Sequence, residues 1–182
     1  NSGAMIALQS LSKTNRTMEA VQLRITTGLR VNGPKDDAAT FAIAQNMRGD
    51  IAGMGALRTT LGLGQSTVNV AIDAGMAISN LLIEMKAKSV QASQAGLDSD
   101  SYSALQNEFI SLRAQLTTIA ETAEFNGKNL ITAGATDLEV LSTIEGSTIT
   151  VAAQSLDPTT LLIHTATLAT ANSASQARLI LD

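Results

Sequence analysis

The sequence predicts a mainly α protein: an elongated antiparallel helical bundle with coiled-coil character and a small β-hairpin at one tip. Three observations carry that expectation. Apolar residues recur at alternating spacings of three and four through much of the 182-residue chain. The composition is 45% hydrophobic but only 2% aromatic, with no Trp. That balance suits helices packed closely on Ala, Leu, Ile, Val and Met rather than a core filled by rings. One stretch, about 137–153, switches to two-residue alternation around Glu145-Gly146.

The first element is expected from Ala4 to about Thr27. Leu8, Leu11, Asn15, Met18, Gln22, Ile25 and Leu29 trace a heptad seam with two polar members. Gly28 stops it. Gly33-Pro34 blocks continuation, because proline pushes the preceding residue out of the α region. Asp36 or Asp37 is fit to cap the next helix. That helix is expected from about Ala38 to Ala95, about 85 Å at roughly 1.5 Å per residue. Ala44, Met47, Ile51 and Met54 mark one face of it. Leu57, Leu61, Val68, Ile72, Ile78, Leu82 and Met85 continue as a drifting stripe. Gly49, Gly53, Gly55, Gly62, Gly64 and Gly75 interrupt it. They read as packing sites or a local break. A phosphate loop would need a preceding strand and a following Gly-Lys-Ser/Thr, and neither is present.

Gly96 closes the long helix and Asp98 to Asp100 opens another. Leu105, Phe109, Leu112, Leu116, Ile119 and Ala123 form its apolar face. Asn126-Gly127 reads as its terminator and as a turn of the core domain. Leu138, Val140, Ser142 and Ile144, then Ile149, Val151 and Ala153, alternate as the two strands of a hairpin. Asp157-Pro158 reads as the cap and first residue of a last helix. Its seam would be Leu161, Thr165, Leu168, Asn172, Ser175 and Leu179.

The chemistry is sparse. Twelve basic against 16 acidic residues give a net charge of −4, which is no nucleic-acid footprint. No run of 18 apolar residues occurs, so no membrane span is expected. Cysteine is absent, which removes disulfides, thiolate metal sites and a Cys nucleophile. The one histidine, His164, falls in the expected last helix with no partners for a zinc site or a catalytic triad. Asp36-Asp37 reads as a helix start favoured by the macrodipole rather than as metal ligands. No enzyme and no cofactor are expected. Apolar seams, small residues and polar register positions remain, and those are assembly features.

Against that background three ordered motifs become specific. Gly28-Leu29-Arg30-Val31-Asn32, then Asp36-Asp37-Ala38-Ala39 and Ala42-Ile43-Ala44, resemble the amino-terminal signature of bacterial flagellins. Ala4 to Leu11 and Asn15 look like that family's first helix. Glu124-Phe125-Asn126-Gly127-Lys128-Asn129-Leu130 is similar to the phrase that closes its second core helix. The run Phe41 to Arg48 and the stretch Ile78 to Ala92 point to the alphaproteobacterial type.

The resemblance implies a secreted, extracellular subunit that self-assembles into the flagellar filament for motility. Other subunits, an export chaperone and the filament cap would be its partners. It divides the chain into a partial inner terminal helix, 1–27, a joint, 28–37, and a helical core domain, 38–182. The joint would be buried between subunits. Arg30 and Asp36-Asp37 would form intersubunit ion pairs or caps there, and Ala38-Ala39 would permit close packing. Gly33-Pro34-Lys35 departs from the commoner small-residue pattern. The family's carboxy-terminal inner helix would lie beyond Asp182, making this stretch a fragment. Where many flagellins carry an Arg-rich patch read by the vertebrate flagellin receptor, this chain has Glu84 and Lys88, so weak recognition is expected. Two rivals are a hook–filament junction protein, which shares the terminal helices, and a coiled-coil signalling rod, whose heptads would continue through its tip.

Overall fold

The computed structural model describes residues 1–181. In chain order it holds α1 (Ser2–Thr27), α2 (Ala38–Ala92), α3 (Ser99–Thr122), β1 (Glu124–Phe125), β2 (Lys128–Asn129), β3 (Leu138–Leu141), β4 (Thr148–Val151) and α4 (Ala171–Ile180). The chain forms two compact units, Asn1–Gly55 and Ala56–Asp182, divided within α2.

In the first unit α1 ends where the sequence predicts. Gly28 adopts a left-handed conformation (φ 67°), and its N–H donates to the Arg24 carbonyl at 2.8 Å. A residue with a Cβ would resist that cap. None of α1's residues is buried.

The second unit holds the core. Ile78, Met85 and Ala92 recur every seventh residue on α2, and Phe109, Leu116 and Ala120 meet them from α3. Such spacing keeps side chains on one helical face. Ala174 and Ala177 of α4, with Leu130, Ile131, Ile163 and Leu168, complete the cluster. Ser89 sits fully buried among them. Its hydroxyl donates to the Met85 carbonyl at 2.9 Å, so the core holds no orphaned polar group there. α3 begins at Asp98, whose carboxylate accepts from the Ser101 N–H at 2.8 Å.

α2 runs without a break through all six of its glycines and ends at Ala92, three residues earlier than expected. The packing reading holds at Gly64. A Cβ there would lie 2.6 Å from Val140 Cγ2 and 3.2 Å from Cγ1, so β3 approaches α2 at this point. A Cβ on Gly62 meets nothing within 4 Å. Gly62→Ala is therefore expected to stabilise by about 0.5–1 kcal/mol through helix propensity. Gly64→Ala is expected to destabilise by about 1–3 kcal/mol, because Val140 is stiff at χ1 and cannot swing away. Urea unfolding of the two variants checks this. Equal midpoints would mean that Gly64 has no packing role.

Two expectations need correction. Asn126-Gly127 does not terminate α3, which ends at Thr122. The pair forms the tip of a minimal hairpin in which Glu124 pairs with Asn129 and Phe125 with Lys128. Both tip residues have positive φ, 51° and 76°, as a type I′ turn requires. The helix end is served instead by Asn129. Its amide nitrogen donates to the Ala120 carbonyl at 2.8 Å and the Glu121 carbonyl at 3.3 Å. Its amide oxygen accepts from the N–H groups of Ile131 and Thr132.

The second correction concerns the last helix. Asp157 does cap a turn, accepting from the N–H groups of Thr159 and Thr160 and from the Thr160 hydroxyl. The turn stops at Leu162, which is left-handed at φ 59°. Regular helix resumes only at Ala171, behind a capping box made by Thr170 and Ser173. Leu161, Thr165 and Leu168 thus lie outside helix, and so does His164. The larger hairpin falls as expected, with Leu138 opposite Val151 and Leu141 opposite Thr148, and Gly146 in its loop at φ 98°.

Candidate assembly interface

The joint is a chain of local caps. Asp36 donates its backbone N–H to the Gly33 carbonyl at 3.1 Å, closing a turn with Pro34 at its second position. The Asp36 carboxylate accepts from the Asn32 N–H at 3.0 Å. Asp37 is the N-cap of α2. Its Oδ1 accepts from the Thr40 N–H at 3.0 Å and its Oδ2 from the Thr40 hydroxyl at 2.6 Å. The Thr40 hydroxyl and N–H hold the Asp37 carboxyl below the usual carboxylate range, and the charge of Arg30 adds a smaller push the same way. Gly28, Arg30, Asp36, Asp37, Ala38 and Ala39 are exposed, and Leu29 and Asn32 half-buried. Of the sequence-predicted joint residues, the structure links Asn32 to Asp36 and sets the charge of Arg30 near Asp37, on a surface largely open to water.

Asp98 and Asp157 share the Asp37 pattern. The Ser101 side chain and N–H depress the first, and the Thr160 hydroxyl leads for the second. A carboxyl depressed on folding stabilises above its unfolded value, about 3.9, and loses that contribution as pH falls through the lower folded value. Stability contributed by these three caps should be flat from pH 5 to 8 and fall below about pH 4. Asp98→Asn should flatten the acid limb of a circular-dichroism melt series. An unchanged acid limb would show that the cap carries no charge-dependent stability.

The seam of α1 is a surface. Leu8, Leu11, Met18 and Ile25 are all exposed, Ile25 at 78%, and Asn15 is exposed beside them. Ile43, Met47, Ile51 and Met54 continue an exposed apolar row on the first part of α2. By length and composition α2 is long and apolar enough to cross a membrane, although it contains no unbroken run of 18 apolar residues. Glu84 is exposed, and the half-buried Lys88 forms an ion pair with Glu108 of α3. Among the described residues, no three His, Asp or Glu side chains gather as a metal site. Sequence reasoning missed Gln106, Arg113 and Asn129, polar residues of α3 and the small hairpin that hold backbone groups. The carbonyl and N–H groups they reach on other elements are 8 to 62 residues away, so no local spacing announces those contacts.

Exposed apolar rows on long helices, joined by a segment of local caps, define a mainly helical protein with apolar faces open to water. The chain belongs to the bacterial flagellin family: the family's "Bacterial flagellin N-terminal helical region" matches residues 1–136. Flagellin FljM of Caulobacter vibrioides is 42% identical over 156 residues, covering 86% of this chain and 57% of that protein. Flagellin FljK of the same organism is 41% identical over 175 residues, covering 96% and 64%. Flagellin A of Rhizobium meliloti is 37% identical over 147 residues, covering 81% and 36%. These sources agree with the alphaproteobacterial resemblance. The chain thus spans less than two thirds of these relatives. A crystal structure of Bacillus cereus flagellin superposes with a TM-score of 0.60 at 26% identity, over 69% of this chain and 73% of that one.

Proposed function

We propose that this chain is part of a structural, non-enzymatic subunit that polymerises with copies of itself into the flagellar filament. The observation that carries the reading is α1, a 26-residue helix that buries none of its side chains. A helix with an apolar row gains most of its stability from packing, so α1 calls for a partner surface. Family membership supports other subunits as that surface.

The joint, 28–37, is the part whose burial between subunits would fix how neighbouring copies register. The exposed apolar face of α2 serves assembly rather than a membrane. Arg48, Asp50, Arg58, Asp73, Glu84, Lys86 and Lys88 are spread along the helix, and charge at membrane depth is costly. Export, an export chaperone, the filament cap and an extracellular location follow from the same reading, and so does weak recognition by the vertebrate receptor at Glu84 and Lys88.

The test is to delete the gene in its source organism, restore it, and examine sheared appendages by electron microscopy and mass spectrometry. Filaments containing this chain, reduced or altered on deletion, are expected. Its absence from the filament and presence elsewhere in the cell would overturn the proposal.

A further inference from the structure

We infer that residues 158–169 are a latent helix, held open by two side chains of α3, and that releasing those two side chains lets the segment form one helix continuous through α4. The backbone groups of this segment find their partners on α3 and in a capping box, not in filament contacts.

In a continuous helix the Leu168 N–H would donate to the His164 carbonyl, and the Thr170 N–H to the Ala166 carbonyl. Here both pairs are intercepted at both ends. Arg113 Nη1 donates to the carbonyls of His164 at 2.7 Å, Ala166 at 3.3 Å and Ile163 at 3.4 Å. The Leu168 N–H donates instead to Gln106 Oε1. The Thr170 N–H donates to the Ser173 hydroxyl at 3.0 Å. Arg113 and Gln106 thus stand in for the bonds a helix would make.

The other requirements of the helix are already met. Asp157 occupies a working N-cap, and Leu161 N–H donates to the Asp157 carbonyl at 3.0 Å, the first helical bond. Pro158 sits where proline is tolerated. Ile163, Ala166, Ala174 and Ala177 are all buried. On an uninterrupted helix these four would fall within about 80° of one another, a single stripe. Leu168 alone of the buried residues falls off it. The break falls at Leu162, a left-handed residue with a branched side chain, 65% exposed. Ile163 N–H closes the turn onto the Pro158 carbonyl at 2.9 Å, a helix ending that ordinarily uses glycine. Leu162 is therefore strained in the broken form and relaxed in the continuous one.

Nuclear magnetic resonance on the whole chain tests this. Wild type should show non-helical Cα shifts over 163–169. Gln106→Met with Arg113→Met should give helical shifts from Thr159 to Ile180, with amide exchange at Leu168 and Thr170 slowed about tenfold or more. Adding Leu162→Gly should restore the break, since glycine accepts the left-handed form and disfavours helix. Coil shifts over 163–169 in the double variant would overturn the inference and make both side chains simple clamps. Should the double variant fail to fold, single variants at the exposed Leu162 decide. Leu162→Gly should raise the melting temperature and Leu162→Ala should not; equal melting temperatures overturn it.

Discussion

Phe109→Ala is expected to remove much of the stability of the second unit. Phe109 is fully buried, together with Met85 and Leu116, where α2 and α3 meet. Truncating a buried Phe costs about 3–5 kcal/mol, transfer and cavity together. Small domains hold only about 5–15 kcal/mol in all. With a urea slope of about 1–3 kcal/mol/M, the midpoint should fall by roughly 2 M. Ile25→Ala, on the exposed face of α1, should stay within about 0.5 kcal/mol of wild type. A drop for Phe109→Ala no larger than that for Ile25→Ala would show that α2 and α3 do not depend on this contact.

The second large effect is on assembly. Leu11→Ala with Met18→Ala removes two exposed members of the α1 seam. Alanine is the best helix former, so α1 should keep its helicity, and the core of the second unit holds none of its residues. If the seam is covered in the filament, each side chain contributes about 1.5–3 kcal/mol of burial there. Each 1.4 kcal/mol is about tenfold in an equilibrium constant, so the critical concentration should rise about a hundredfold or more. Sedimentation of the full-length protein with and without the changes reads this directly. Normal polymerisation of the double variant would place the seam outside the subunit interface.

Legibility in the sequence followed the range of the interactions. The end of α1 and the start of α3 are readable because their signals are local: Gly28 as a left-handed stop, Asp98 as a cap, apolar residues at helical spacing. The break between α1 and α2 and the capping role of Asp37 are readable for the same reason, since Asp36 and Asp37 bond within four residues of themselves. The larger hairpin announced itself by alternation. The last helix misled because Asp157-Pro158 is a genuine helix start, and nothing nearby marks Leu162 as a stop. The stop is imposed from α3, more than 40 residues away, by Arg113 and Gln106. The role of Asn126-Gly127 was misassigned because an Asn-Gly pair ends a helix or turns a hairpin equally well. The strands it joins are two residues each, too short for alternation to show. The glycines of α2 carried no local sign of which one faces a strand; only the approach of Val140 separates Gly64 from Gly62.

Asn129 constrains which sequences can carry this fold. One side chain offers two carbonyls of α3 its donors and two N–H groups of the following loop its acceptor. Among the twenty amino acids, only a primary amide carries two N–H donors and a carbonyl acceptor on separate atoms of one short stem. Aspartate would keep the acceptor but set a negative charge against the helix's carboxyl end, where the dipole is already negative. Serine and threonine lack the span, and glutamine is a methylene too long. A position outside every helix and every apolar row thereby becomes one of the least interchangeable in the chain.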